Sequence, residues 1–346
     1  METIWFCLIA LMLAVYVVLD GFDLGAGIVH LLVARTDRER RTVLRSIGPV
    51  WDGNGVWLLA AAGSLFLAFP ALYASSFSGF YLPLMIVLWL LVLRGVAVEF
   101  RNHIDSPAWK PFWDVVFAGA SLLLALFYGT ALGCVVRGVP LDASGYFFEP
   151  LWTDFRLGRE TGIIDWYTAL VGLLAILALT VHGSLWVALK TGEPTRRRAR
   201  RVARRAWWGV AVLTAAVTAV TFRVQANVPA RLAAQPWGYL FPALALGGLL
   251  AIRWLGRDGA DLGAFLASCS YLAGMMASVA FGLYPYVLPA STGPGLSLTA
   301  RGAAAGAYGL RAGLLWWIPG VVLAAGYFAL AYRRFAGKVS LEEEGY

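Results

Sequence analysis

Residues 47–58 read IGPVWDGNGVWL and place a carboxylate, Asp52, just inside an apolar run that continues to Phe69. An ionised aspartate at the centre of a membrane-spanning helix costs about 2.5 to 3.5 kcal/mol, so an acid there indicates a function. The preceding apolar run contains residues 20–23, DGFD, which add Asp20 and Asp23. The alternative for each of the three acids is an interfacial position from which the carboxylate faces water.

The composition places the chain in the lipid bilayer. Of its 346 residues 60% are hydrophobic and only 14% are charged, and the mean hydropathy is +0.70. A soluble domain has about a quarter of its residues charged. The net charge of +8 resides in short basic clusters between apolar runs, a distribution that sets membrane orientation and does not indicate a nucleic-acid partner. Glu2 is the only charge before the first run, so we expect no cleavable signal.

Nine apolar runs are each long enough to cross a hydrocarbon core, which takes about 20 helical residues. They cover residues 4–33, 48–70, 79–98, 112–136, 162–189, 206–226, 237–255, 262–288 and 308–332. Helices are expected because the runs lack the alternation of barrel strands. The sequence therefore predicts one all-α integral membrane domain over residues 1–346. Helices 1–4 occupy residues 4–136, helices 5–8 residues 162–288, and a ninth helix residues 308–332.

The basic residues predict the orientation of the helices. With the amino terminus outside, 21 of the 28 lysines and arginines fall on the inner side. Cytoplasmic loops carry such an excess. An odd number of helices then puts the carboxyl terminus, with Glu342, Glu343 and Glu344, in the cytoplasm. The arginine-rich segment 196–205 is interpreted as an orientation signal.

The spacing of residues predicts how deep the acids lie. Eleven residues, apolar except for His30, separate Asp23 from Arg35, which is roughly 16 Å at 1.5 Å per helical residue. Asp20 lies one turn deeper on the same face. Asp52, seven residues past Arg45, is expected roughly 10 Å deep. In the competing interpretation the first helix ends at Leu19, and Asp20 and Asp23 lie at the surface.

A group of buried carboxyls reaching inward from the cytoplasm is what a proton inlet requires. Arg94 and Glu99, at the cytoplasmic end of the third run, are candidates to pair with these acids. Alternatively, they only extend towards water from the end of their helix. The acids could also form the ion-coupling site of a proton- or cation-coupled secondary transporter, or make only helix contacts in a structural scaffold. The glycines at 21, 25 and 27 predict close helix packing.

The histidines and cysteines give little support for a metal or haem site in this chain. A bis-histidine haem needs two imidazoles that face each other. His103 is in a predicted cytoplasmic loop, and His30 and His182 are on helices distant in sequence. The three cysteines lack CxxC spacing. We therefore expect no haem and no metal to be bound by this chain alone, and we expect His182 to be a hydrogen-bonded interior residue.

Several motifs occur in order along nearly the whole chain. They are DGFDLG at 20–25, IGPVWDGN at 47–54, VWL at 56–58, FSGFY at 77–81, LRGV at 93–96, EFR at 99–101 and LPAST at 288–292. Each motif is short, but the ordered set is specific. Together they resemble subunit II of the cytochrome bd-type quinol oxidases, including the cyanide-insensitive branch.

The resemblance implies a fold of two four-helix bundles plus one peripheral helix in a prokaryotic cytoplasmic membrane. It implies a haem-free chain whose partner, subunit I, carries haems b and d and the quinol site. The reaction would be quinol oxidation coupled to reduction of oxygen to water. A structural quinone and a small accessory subunit are found in some relatives, and the sequence assigns no residues to either.

In that family the acid that matches Asp52 is implicated in carrying protons from the cytoplasm towards the oxygen-reducing haem. By motif position Asp23 and Asp20 join it as candidates, with Arg94 and Glu99 as supporting groups. The sequence departs from the family at Gly55, where relatives tend to have Glu or Gln. Any polar link that these relatives make at this position is absent here.

Overall fold

The computed structural model describes residues 1–158, 161–256 and 259–339. Arg257 and Glu342–344, which entered the predicted orientation, lie outside the described residues. Twelve α-helices lie in these ranges: α1 Glu2–Val33, α2 Asp37–Ile47, α3 Trp51–Ala68, α4 Pro70–Gly79, α5 Tyr81–Phe100, α6 Trp109–Arg137, α7 Trp166–Lys190, α8 Thr195–Val224, α9 Asn227–Ala234, α10 Leu240–Leu255, α11 Asp261–Leu283 and α12 Ala307–Arg334. The strands β1 Tyr286–Leu288 and β2 Leu298–Thr299 form a short antiparallel pair.

Eight helices in the described ranges are long and apolar enough to cross a membrane. The eight do not include α3, which the sequence predicts as the second of nine spans. This helix has 18 residues, and its first turn carries Asp52 and Asn54. The predicted run 48–70 is shorter as a helix, and the separate helix α4, which the sequence did not predict, begins at Pro70. Residues 284–288 of the predicted eighth helix instead lead into β1.

Helix α1 is the centre of the packing, since it contacts α3, α6, α7 and α11. Helix α5 packs on α6, α8 packs on α7, and α10 packs on α11. Helix α12 has one buried residue, Leu310, and contacts α3. The helix ends next to residues 35–45 and 196–205 are called the arginine-rich end below, and the opposite ends are called the far end.

Glycines bring α1 and α7 into backbone contact, as the sequence predicts. A Cβ built on Gly25 would lie 2.1 Å from the Leu179 carbonyl oxygen and 2.7 Å from Gly183. A Cβ on Gly27 would lie 2.1 Å from Ser121 Oγ on α6. No side chain fits at either position, so the prediction of close packing at these glycines is confirmed.

Candidate functional site

One face of α1 carries a row of polar residues through the core. Tyr16, Asp20, Asp23 and His30 are buried, and with Gly27 they follow the spacing i, i+4, i+7, i+11 and i+14. Such spacing puts side chains on one side of a helix. The helix continues past Leu19 to Val33. The interpretation in which it ends before the acids is therefore wrong, and Asp20 and Asp23 are fully buried.

Asp20 forms a bidentate ion pair with Arg94 of α5. Arg94 Nη1 donates to Asp20 Oδ2 at 2.8 Å, and Nη2 donates to Oδ1 at 2.5 Å. The Arg94 residue is 3% exposed and Asp20 is 0% exposed. The Trp51 ring lies 6.0 Å from the guanidinium carbon. The two opposite charges are thus removed from solvent together, with both carboxylate oxygens occupied.

Asp23 has a neutral partner and one unpartnered oxygen. Asn54 Nδ2 donates to Asp23 Oδ2 at 2.8 Å, and the Tyr332 hydroxyl of α12 donates to Asn54 Oδ1 at 2.8 Å. In the part of the chain that the structure describes, Asp23 Oδ1 has no hydrogen-bond partner. Sequence reasoning did not identify Asn54 or Tyr332. Asn54 stands in the quoted WDGN motif, whereas nothing near Tyr332 in the sequence marks it.

Asp52 does not join the two buried acids. It is exposed on α3, whereas Asn54, two residues on, is buried and faces α1. The predicted depth of roughly 10 Å assumed a continuous helix from Arg45, and this assumption is wrong, because α2 ends at Ile47 and α3 begins at Trp51. A Cβ at Gly55 would meet no atom within 4 Å, so the position that departs from the family pattern is open.

Glu99 also lies apart from the buried acids. It is half-buried and lines a shallow depression at the arginine-rich end, together with Arg41, Arg45 and His103. The backbone carbonyl of Glu99 lies 2.9 Å from His103 Nδ1. In the described ranges, the partners of Asp20 and Asp23 are Arg94 and Asn54, and Glu99 makes no hydrogen bond to either acid. Of the two predicted supporting residues, only Arg94 contacts one of the acids.

At the arginine-rich end, the polar row of α1 meets a charged cluster around Asp114 of α6. His30 Nε2 lies 2.6 Å from Asp114 Oδ1. Arg101 Nε donates to the same oxygen at 2.6 Å, and Arg40 Nη1 donates to Oδ2 at 2.9 Å. Arg101 also donates to Asp37 at 2.8 Å. The Asp37 side chain is 48% exposed. The cluster links the buried row to the protein surface, and sequence reasoning did not identify Asp114.

His182 makes the interior hydrogen bonds that the sequence predicts. Its Nδ1 lies 2.7 Å from Ser268 Oγ, and its Nε2 lies 2.8 Å from the Val18 carbonyl oxygen. The residue is fully buried. The prediction for His182 is confirmed, and both ring nitrogens are occupied.

An apolar cavity of about 300 Å³ lies beside the row of polar residues. The hydroxyls of Tyr16 and Tyr128, 2.9 Å apart, mark the place where the row meets the cavity wall. Leu174 and Leu179 of α7, together with Tyr271 and Met275 of α11, contribute to the lining. The cavity could hold an elongated apolar molecule with a small polar group.

A second charged cluster lies at the far end, outside the spans. Arg137 donates to Glu149 Oε1 at 2.5 Å and to Asp165, which caps the first turn of α7. Thr161 also donates to Glu149 at 2.9 Å. Burial raises the pKa of Glu149 to about 7, although the Arg137 charge acts in the opposite direction. The cluster fixes residues 149, 161 and 165, in the segment between α6 and α7, against the end of α6.

The buried ion pair, the polar row and the bundle of long apolar helices define a multi-pass membrane protein with ionisable groups in its interior. The sequence model of the family described as cytochrome bd terminal oxidase subunit II matches residues 1–335. The chain belongs to this family. It is accordingly a subunit of a terminal oxidase, an oxidoreductase of the respiratory chain, and a multi-pass protein of the bacterial inner membrane. A subunit II implies a partner subunit I.

Individual relatives agree with this assignment. The chain is 30% identical to the probable cytochrome oxidase subunit 2 of Haemophilus influenzae, over 97% of this chain and 94% of that one. It is 31% identical to the cytochrome bd ubiquinol oxidase subunit 2 of Bacillus subtilis, over 90% and 88%. It is 28% identical to the cytochrome bd-I ubiquinol oxidase subunit 2 of Escherichia coli K12, over 98% and 95%. The fold matches a chain of the bd oxidase from Geobacillus thermodenitrificans with a TM-score of 0.75 at 20% identity, over 97% and 98%.

Proposed function

We propose that the chain is the haem-free subunit II of a quinol:oxygen oxidoreductase, and that it supports assembly and delivers protons from the cytoplasm towards subunit I. The observation that carries this proposal is the row of buried polar groups from the Asp114 cluster to Asp23 and Asp20. Ionisable groups are stable inside a membrane protein when they pair or serve a proton route. Asp20 is paired with Arg94, whereas Asp23 Oδ1 has no hydrogen-bond partner among the described residues.

The positions of the histidines support a haem-free subunit. His182 is occupied at both ring nitrogens, and His30 is bonded to Asp114. His103, next to the Glu99 carbonyl, lies in the segment between α5 and α6. Bis-histidine ligation of a haem needs two facing imidazoles, each with a nitrogen for the iron, and the hydrogen bonds of His182 occupy both of its nitrogens. Haems b and d, which would supply the oxygen chemistry, and the quinol site are therefore assigned to subunit I.

The buried acids are suited to different roles in proton delivery. Both oxygens of Asp20 are held by Arg94, so Asp20 with Arg94 would fix the electrostatic field of the core. Asp23 is bonded at one oxygen only, so it would accept and release the proton. His30 and the Asp114 cluster would form the cytoplasmic entrance, with the Glu99 depression as a neighbouring feature of the same surface.

Asp52 would act at the contact with subunit I. It shares one exposed face of α3 with Val56 and Leu59, at i+4 and i+7, which are 53% and 71% exposed. A partner helix on this apolar face would cover the carboxylate and remove it from water. Asp52 would then donate its proton at the boundary between this chain and subunit I. This face supports a hydrophobic contact with subunit I, while no surface is assigned to a small accessory subunit.

We propose nine membrane crossings, with the amino terminus outside and the carboxyl terminus in the cytoplasm. Helix α3 is about 27 Å long at 1.5 Å per residue, close to the thickness of a hydrocarbon core. Contact with subunit I would shield the polar first turn of α3 from lipid. The arginine-rich end would then be cytoplasmic. Cysteine labelling from each side of the membrane, at Ser144→Cys and Ser106→Cys, tests this orientation, because labelling of both from one side would contradict it.

The apolar cavity next to Tyr16 and Tyr128 is proposed as the site of a structural quinone. Its apolar wall suits an isoprenoid chain, and the tyrosine hydroxyls can bond a ring carbonyl. Pockets for such ligands have volumes of roughly 300 to 1,000 Å³. Solvent extraction of the purified complex should release about one quinone more than the quinol site accounts for, and Ala178→Phe should remove it. An unchanged quinone content in an assembled Ala178→Phe complex would exclude this cavity.

The proton route is tested by Asp52→Asn and Asp23→Asn in the purified complex. Each variant should assemble with an unchanged haem spectrum and should slow quinol-driven oxygen uptake by about 10- to 100-fold, since positioned proton transfer contributes at least that much. Asp105→Asn is the matched control, because Asp105 lies in a loop, has a side chain that is 96% exposed and pairs with the surface residue Lys110 at 2.6 Å. Full activity in an assembled Asp52→Asn or Asp23→Asn complex would remove that residue from the route.

A further inference from the structure

Three arginines on the first turns of α8 have no acidic partner among the described residues. Arg196 and Arg200 pair with Asp261 at 2.7 and 2.6 Å, and Arg198 pairs with Glu39 at 2.8 Å. By contrast, the three unpaired arginines are all exposed: Arg201, Arg204 and Arg205. An orientation signal requires only positive charge. It does not explain why, within the described ranges, the acids of this surface pair with one set of arginines and not with the other.

Arg201, Arg204 and Arg205 lie at the start of a face of α8 that changes from basic to aromatic to aliphatic along the helix. Trp208 follows Arg204 and Arg205 at i+4 and i+3, and Val212 follows Trp208 at i+4, so all lie on one side of α8. Trp208 is 59% exposed and Val212 is 65% exposed. Tryptophan is enriched at the level of lipid headgroups. The order along α8 therefore matches the order of layers in one leaflet of a bilayer.

Helix α10, next to α8, also presents basic, aromatic and aliphatic side chains. Trp207 Nε1 donates to the Leu249 carbonyl oxygen at 2.8 Å, which joins the two helices. Towards the arginine-rich end α10 presents Trp254, 68% exposed, beside Arg253. Towards the membrane interior it presents Leu250 and Leu246, both more than half exposed. Two neighbouring helices thus each place basic and tryptophan side chains towards the arginine-rich end and aliphatic side chains towards the membrane interior.

We propose that the exposed strip along α8 and α10 binds an anionic phospholipid. The strip is formed by Arg201, Arg204, Arg205, Trp208 and Val212 of α8 and by Leu246, Leu250, Arg253 and Trp254 of α10. The arginines hold the phosphate of the headgroup. Trp208 lies at the level of the glycerol backbone, Trp254 lies beside Arg253 near the headgroup, and the aliphatic residues contact the acyl chains. Basic sites between membrane helices on the cytoplasmic side select anionic headgroups in this way, and arginine is suited to phosphate because its fork donates two bonds at once.

The test compares lipids retained by the purified complex after exchange into nanodiscs of equal parts dioleoylphosphatidylglycerol and dioleoylphosphatidylcholine. The wild-type complex should retain the anionic lipid after detergent extraction, as measured by native mass spectrometry. Each arginine near an anionic headgroup strengthens binding about fivefold, so Arg201→Gln/Arg204→Gln/Arg205→Gln should weaken retention by about 100-fold. The matched control is Arg35→Gln/Arg333→Gln/Arg334→Gln, which removes the same charge from exposed positions at the same end.

Two further experiments distinguish lipid binding from an effect on membrane orientation and from the binding of free phosphate. Trp208→Ala/Trp254→Ala keeps every charge, so it should insert normally and still weaken retention several-fold. Inorganic phosphate at 10 mM should not displace the lipid, because phosphate has no acyl chains; displacement would show that the strip binds only the anion. Equal retention by wild type and by the α8 triple variant, or equal losses in that variant and in the control triple, would overturn the proposal.

Discussion

The ion pair between Asp20 and Arg94 provides the sharpest test of how the core of the helix bundle is stabilised. Both side chains are removed from solvent, and two hydrogen bonds of 2.5 and 2.8 Å join them. Two unit charges about 4 Å apart attract by about 4 kcal/mol at an effective dielectric constant of 20. Removal of one partner of a buried pair costs about 3 to 5 kcal/mol, because the other charge is left without compensation.

We therefore expect Arg94→Met to lower the free energy of unfolding by about 3 to 5 kcal/mol, and Asp20→Leu to lower it by a similar amount. The double variant Asp20→Leu/Arg94→Met should lose much less than the sum of the two, because replacement of a whole buried pair by apolar side chains is close to neutral. Arg94→Lys should be intermediate, because lysine keeps the charge but cannot form the bidentate contact.

The assay is a double-mutant cycle on the purified complex, with the free energy of unfolding taken from titration with sodium dodecyl sulfate in mixed micelles. Arg334→Met serves as the control, because Arg334 is exposed and its replacement should change stability by less than about 0.5 kcal/mol. Losses for the two single variants that add up in the double variant would refute the reasoning. Such a result would mean that the two charges do not stabilise each other in the folded chain.

Two other predictions concern helix packing and the far-end loop. Gly25→Ala should lower the free energy of unfolding by about 1 to 3 kcal/mol in the same titration, because the added methyl group would overlap the Leu179 carbonyl oxygen. The control is Gly63→Ala, since a Cβ at Gly63 meets no atom within 4 Å. Equal effects of the two substitutions would contradict the packing argument. The pKa of Glu149 is raised to about 7 from an ordinary 4.5, so the folded chain binds the proton of this carboxyl more tightly than the unfolded chain does. The free energy of unfolding therefore falls by about 3 kcal/mol as pH rises from 4.5 to 7, and it then levels off. Glu149→Gln should remove this part of the pH dependence of the unfolding temperature, and an unchanged profile between pH 5 and 8 would show that Glu149 does not titrate there.

The sequence by itself determined the helical membrane class, eight of the long helices and the position of two buried acids. Long apolar runs leave the backbone no alternative to a helix in lipid. An uninterrupted apolar segment around Asp20 and Asp23 predicts that the helix continues through both acids, and it does. The tight contact at Gly25 could also be predicted, because only small residues permit backbones to approach so closely.

The tertiary structure decided which side each polar residue faces and which residue it meets. Asp52 and Asn54 are two residues apart, yet one is exposed and the other bonds Asp23, because a helix turns about 100° per residue and the neighbours of α3 cover only part of it. The partners Tyr332 and Asp114 are distant in sequence from the acids and histidine they serve. The turn between α2 and α3 falls at Gly48-Pro49, a dipeptide typical of turns, and the depth predicted for Asp52 did not take it into account. Sequence spacing fixes positions within one helix, whereas contacts between helices depend on how their faces pack together.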